Sequence, residues 1–417
     1  MARWSSVWAR RGLLAAVLIG AVIIPGYANE SATQQCAGSH CGSTGTIRWV
    51  QPLTGSWTAE SGVAGTVPAR GEAYVATGSQ IAVAGYGMNV YAFDVKVGTP
   101  LWATTITGFP AGAAIVSVRA WSQVVTVGVS FPGASTGGNA RDEVVLRARG
   151  GQQIRAYPAA VYGGAVAADS AHTVIVGSRS VTSYLNDTAR PAWSRPTGAL
   201  PQSWRVEGSN LYVTVSAAGY LGSAPVTAVR RINVATGAER MIRPAGGSFA
   251  GTLSAAFGGV LLFAGPADLS AYRATTGQLL WQRAGAVLES EDVPRQTLYV
   301  TTGNGLRGLD PSTGTPVRRS AVPASSGLYG VRNGVALGLD QGASGDAWGY
   351  AVSERRVIWT TPPVPWPHYF DDLSGLGGST DPANDTVLLA ACARVGGPVA
   401  AGAGQACLRP ELVAISS

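Results

Sequence analysis

The side chains able to do chemistry are few and far apart in this chain. It holds three histidines, His40, His172 and His368, and none lies near a nucleophile motif. A hydrolytic triad assembles across a fold, so spacing alone neither builds nor forbids one. The cysteines are Cys36, Cys41, Cys392 and Cys407. An even count outside the cytoplasm points to disulfides, with the connectivity open. The pairs local in sequence, Cys36–Cys41 and Cys392–Cys407, are favoured, and the second would staple a hairpin. Zinc ligation fits poorly, because no Cys-x-x-Cys occurs and His40 is the one nearby imidazole. Asp381, Asn384 and Asp385 carry the oxygen donors that calcium takes. Pro382 among them reads instead as part of a turn between two strands.

The richest constellation runs from Pro365 to Asp372, where Trp366, His368, Tyr369 and Phe370 sit beside Asp371 and Asp372. Aromatic rings with a polar edge anchor binding hot spots, and neighbouring acids favour a basic or polyhydroxylated partner. The segment is therefore read as a binding loop for a protein or a glycan. The competing reading makes its rings an internal plug. No residue is assigned a catalytic or metal-binding role.

Such a loop needs a scaffold, and the scaffold shows in internal repeats. The clearest unit runs from Tyr91 to Trp102, with Asp94, Gly98 and Trp102 four residues apart in turn. A second runs from Ala271 to Trp281 with Gly277, and a third holds Asp310 and Gly314, with Arg318 in the tryptophan's place. A fourth holds Asn233 and Gly237 and ends at Met241. Worn copies lead to Ile154, Trp193 and Trp359. The physics is local: Asp or Asn closes a turn on its own backbone, Gly takes the positive φ that follows, and Trp offers a large face for burial. Each unit is thus a β-hairpin with a packing anchor, preceded by another strand pair. Four short strands over roughly forty residues is the spacing of a propeller blade.

At these hairpins the chain resembles the quinoprotein-like (PQQ-repeat) β-propellers, whose repeat runs roughly Ala-[Leu/Phe/Tyr]-Asp-x-x-Thr-Gly-x-x-x-Trp. The resemblance extends from about Thr46 to the end. It implies an all-β propeller whose repeat tryptophans, here Trp49, Trp102, Trp193, Trp281 and Trp359, dock between blades. Thr46–Val50 looks like a tryptophan-bearing strand with nothing before it, and Leu412–Ser416 like a hairpin strand with no partner after it. Joining the two closes a ring of eight blades, the last shared between the termini; seven blades is the alternative. Members of this family include quinone-dependent dehydrogenases, a barrel-assembly accessory protein and exported or sensor-attached propellers. The dehydrogenase branch is similar to a longer enzyme with adjacent cysteines, a calcium site and a catalytic aspartate. No cysteines are adjacent here, so neither PQQ nor calcium is expected, and a non-catalytic binding scaffold is the leading reading. A PQQ-dependent oxidoreductase or another propeller enzyme is the alternative.

The N-terminus supplies the address. Arg3, Arg10 and Arg11 precede an apolar run from Leu13 to Ile24, then Pro25 and small residues to Ala28. Residues 1–28 read as a signal peptide, or as an uncleaved membrane anchor that would make the chain an extracytoplasmic sensor domain. Residues 29–45 are a short linker and 46–417 the propeller. Removing the three arginines of the leader lowers the net charge from +7 to +4. No Lys/Arg cluster appears, so nucleic-acid binding has little support and no nucleic-acid partner is expected. The expected product is a monomer exported to the envelope or medium.

Overall fold

The second strands show how this chain packs. Val83 lies between Ala82 and Ala84, and Leu262 between Leu261 and Phe263, and all six are fully buried. A strand with one wet face alternates apolar and polar residues. A continuous apolar run is what a strand needs when another sheet covers each of its faces. The fourth strands differ: Leu279–Ala284 and Pro100–Thr105 have no buried position and expose half or more, as befits an outer edge.

The computed structural model describes residues 47–53, 57–58, 74–77, 81–120, 123–132, 139–159, 164–168, 171–177, 180–188, 190–198, 201–216, 225–292, 295–302, 305–317, 328–339, 347–360, 369–370, 386–398 and 405–416. They form an all-β fold of antiparallel sheets, all but one built from strands consecutive in the chain. In order, sheets 1 to 7 span residues 74–105, 114–159, 164–196, 204–242, 252–284, 287–309 and 328–360. Each is a four-stranded meander except sheet 6, which has three strands. After its third strand only an isolated bridge, Leu309 to Pro316, and the bond from Val317 N–H to the Gly308 carbonyl continue the pairing among the described residues.

Sheet 8 joins the two ends of the chain. Ile47–Pro52 pairs with Gln405–Ser416, which pairs with Thr386–Pro398, which pairs with Tyr369–Phe370. The register sets Trp49 opposite Ala414 and Val50 opposite Val413. Trp57–Thr58 adds to the far end of the same strand, opposite Cys407 and Ala406. Trp49, Leu388, Leu412 and Ala414 share one apolar cluster with Ala82, Ala84 and Phe93 of sheet 1, so the last sheet packs on the first complete one.

Two sequence expectations shift in detail. Ile154 was expected to stand in for the repeat tryptophan of sheet 2. A register irregularity between Gln153 and Arg155 puts Arg155 opposite Val145 instead, the place Trp102 takes opposite Ala92. Tyr369 and Phe370 were placed in a crossing loop. They form a short strand paired with Ala390 and Leu389.

Candidate binding surface

Antiparallel meanders have two ends. In every four-stranded sheet the turn from third to fourth strand emerges at one end, and the connection from second to third at the other. The two ends of these sheets are built differently.

The hairpin end is uniform. Asp94 Oδ1 accepts the N–H groups of Lys96 and Val97 at 2.8 and 3.0 Å. Asp310 does the same for Ser312 and Thr313, both at 2.9 Å, and Asn233 for Thr236 at 2.9 Å. These bonds, led by that of the Ser312 hydroxyl, hold the Asp310 carboxyl below the usual range. The glycine that follows donates to the carbonyl of the same acid or amide, as from Gly98 to Asp94 and Gly314 to Asp310.

Those glycines receive the tryptophan of the preceding sheet. The Trp49 indole lies on Gly98, Trp102 on Gly151, Trp193 on Gly237 and Trp281 on Gly314. A Cβ on Gly237 or Gly314 would come within 2.7 Å of the ring. Each indole N–H then donates to the carbonyl three residues before its glycine: Val95 at 3.0 Å, Ala148 at 2.7 Å, Val234 at 3.0 Å and Pro311 at 2.8 Å. Trp49 is buried, while Trp102, Trp193 and Trp281 are half-buried. Arginines two residues after a tryptophan reinforce two of these contacts. Arg195 donates to the Gly237 carbonyl at 3.2 Å, and Arg283 to that of Gly314 at 2.6 Å. This Trp-x-Arg pair was legible as a spacing but was not singled out.

The other end varies. The connections over 87–88, 177–179, 265–267 and 303–304 are short. Those over 133–138, 217–225, 340–346 and 399–404 are longer, and they belong to sheets 2, 4, 7 and 8. The hairpin turns at 95–99, 148–152, 186–190, 234–238, 274–278 and 352–355 stay nearly constant in length. Loops that a scaffold does not need for its own pairing are where binding residues collect.

Of the sequence-selected candidates, Tyr369 and Phe370 sit on the first strand of sheet 8. Trp366, His368, Asp371 and Asp372 lie outside the described residues, as do Asp381, Asn384, Asp385, Cys36 and Cys41 and the whole of residues 1–46. Cys392 and Cys407 occupy neighbouring strands, Cys392 opposite Pro410 and Cys407 opposite Val395. Trp359 lies opposite Gly349 on the fourth strand of sheet 7.

Sequence reading also missed a polar cluster in sheet 2, next to the connection over 133–138. The Glu143 carboxylate is fully buried between Arg141 at 3.6 Å and Arg119 at 4.0 Å. Arg141 donates to Ser117 Oγ at 2.8 Å, across Gly128, where any Cβ would overlap the guanidinium. In the sequence the run Arg141-Asp142-Glu143 looks like a solvated charge patch. In sheet 4, Arg230 grips Glu239 with two bonds of 2.6 Å and holds its carboxyl below the usual range. Burial pushes the phenols of Tyr157, Tyr212 and Tyr299 up to about 12, so they stay protonated at neutral pH. Among the described residues no group of three or more His, Cys, Asp or Glu side chains could hold a metal.

No protein-family model matches the chain, and no curated protein matches it. Solved structures do resemble it at low identity. The computationally designed Ika8 protein is 13% identical with a TM-score of 0.48, covering 80% of this chain and 96% of that one. BamB from Moraxella catarrhalis is 14% identical with a TM-score of 0.39, covering 67% and 79%. The quinohemoprotein alcohol dehydrogenase ADHIIG from Pseudomonas putida HK5 is 12% identical with a TM-score of 0.47, covering 88% and 76%.

Proposed function

We propose that this chain is an exported eight-bladed β-propeller that binds a protein or glycan and carries out no reaction of its own. Each antiparallel sheet is one blade, and the shared sheet 8 closes the ring. The observation that carries the reading is the contrast between the two sheet ends. The hairpin end spends its side chains on joining sheets through indole, glycine and arginine. The other end carries connections of unequal length that the pairing does not require. Trp366, His368, Asp371 and Asp372, the sequence neighbours of the first strand of sheet 8, are the residues we assign as the partner's anchors. No PQQ or calcium takes part.

The test is direct. Purified protein is incubated with PQQ and calcium and passed through a gel-filtration column. The expected result is protein free of quinone absorbance. Stoichiometric quinone retained in the protein peak would overturn the reading and favour an oxidoreductase.

A further inference from the structure

Besides the apolar clusters between neighbouring sheets, six of the seams carry one of two polar contacts among the described residues. Four seams carry a docked tryptophan: sheet 8 on 1, 1 on 2, 3 on 4 and 5 on 6. The seams of sheet 4 with 5 and of sheet 6 with 7 lack it, for different reasons. At the first, Gly277 is in place, but the fourth strand pairs without the register shift of sheet 1 and sets Arg240 opposite Arg231, and the Arg243 carbonyl and Ile242 side chain occupy the space over the glycine. At the second, Arg355 takes the glycine's slot at a φ of 59° and donates to the Ala351 carbonyl as the glycines do. Its Cβ fills the space an indole would need.

Those two seams share a different device. Glu207 ends the first strand of sheet 4, and its Oε1 accepts the N–H of Gly259 in sheet 5 at 2.7 Å. Asp292 ends the first strand of sheet 6; its Oδ2 accepts the N–H of Gly334 in sheet 7 at 2.7 Å, and its Oδ1 that of Asn333 at 3.0 Å. Gly259 and Gly334 are equivalent, since each directly precedes the second strand of its sheet. At the seams locked between sheets 1 and 2, 3 and 4, and 5 and 6, the residue ending the first strand is Thr77, Ala168 or Phe257. None of the three has a carboxylate to offer.

We propose that Glu207 and Asp292 are latches that fasten the turn end of the two seams, sheet 4 on 5 and sheet 6 on 7, where a carboxylate takes the place of the docked tryptophan. A docked indole spreads its hold over a ring face and a hydrogen bond, so it yields gradually. A carboxylate on one or two turn amides is a point contact that is either made or lost. Buried apolar clusters fill both seams behind the latches, so losing a latch frees the turn at that end while the sheets stay packed. The inference stands whether or not the proposed ligand is correct, because it concerns the seams alone.

Hydrogen exchange read by mass spectrometry on the full chain tests it. Asp292→Ala should speed exchange over residues 328–339 roughly tenfold, the scale of one lost charge-assisted hydrogen bond. Residues 229–242 and 306–317, at the locked seams, should keep their wild-type rates. Glu207→Gln, a milder change at an independent latch, should speed exchange at 252–264 and leave 328–339 alone. Should Asp292→Ala fail to fold, Asp292→Asn keeps the shape and should show the same local pattern. Acceleration spread evenly over all seams, or none at the two latched turns, would overturn the proposal.

Discussion

The hairpin end and the connection end of the same sheets obey different rules. At the hairpin end the turns at 95–99, 234–238 and 274–278 have the same length and the same backbone bonds. At the connection end 265–267 is short and 217–225 is long, although the flanking strands pair in the same way. The difference teaches where the fold is constrained. A turn that receives the preceding sheet's indole, as 95–99 and 234–238 do, can change neither length nor its left-handed glycine, whereas a connection that joins two paired strands can take any length that closes.

The sharpest way to break this comparison is at the sheet both ends of the chain build. Deleting residues 408–417 removes most of the strand that pairs with Ile47–Pro52 on one side and Thr386–Pro398 on the other. The expected outcome is loss of the cooperative thermal transition by circular dichroism, because two long edges lose their partner. A shortened chain that still melts cooperatively near the parent's midpoint would show that the termini are incidental.

The next effect tests whether indole and glycine act as one lock. Trp281→Ala should cost about 3 kcal/mol, the low end for emptying a large aromatic site, since the ring is half-buried. Gly314→Ala should cost about 1–3 kcal/mol, the usual penalty for a side chain at positive φ, because its Cβ also meets the ring. In chemical denaturation the double variant should fall well short of the sum. Strict additivity would mean that the two residues do not share a contact.

Acid sharpens the comparison further. The Arg230 guanidinium lowers the carboxyl of Glu239, and turn hydrogen bonds lower that of Asp310. A depressed folded value means that the stabilisation is complete above the unfolded value and is lost as pH falls through the folded one. Melting temperature should therefore drop below about pH 4, and Glu239→Gln with Asp310→Asn should flatten that slope. An unchanged slope would show that neither carboxylate contributes.

Much of the hairpin end was legible because its chemistry is local. Asp94 and Gly98 close one turn within a few residues, so their spacing names it. The receiving partner of each tryptophan was not legible, since Trp49 and the Val95 carbonyl lie 46 residues apart and only packing joins them. Arg155 keeps the spacing from Arg147 that Trp102 keeps from Asp94 and the same register shift, but an arginine carries none of the packing signal by which the anchor is read. The strand at Tyr369–Phe370 was hidden because two residues carry no period; pairing with Leu389 and Ala390 creates it. Glu143 was not legible as buried, because its partner Arg119 comes from another strand of the sheet and the local run Arg141-Asp142-Glu143 does not name it. The candidate site was legible only as composition, in Trp366, Tyr369 and their acidic neighbours.

The connection end itself offers the measurement that bears most directly on a scaffold with one adaptable face. Residues 217–224 and 340–346 are replaced by glycine–serine segments of equal length, and the chain is assayed for unfolding free energy and for cross-linked capture of a partner from envelope extract. The predicted result is a stability within about 0.5 kcal/mol of the parent, as for changes away from packed features, together with loss of the partner that the parent captures. A collapse in stability, or capture that survives the replacement, would contradict the account.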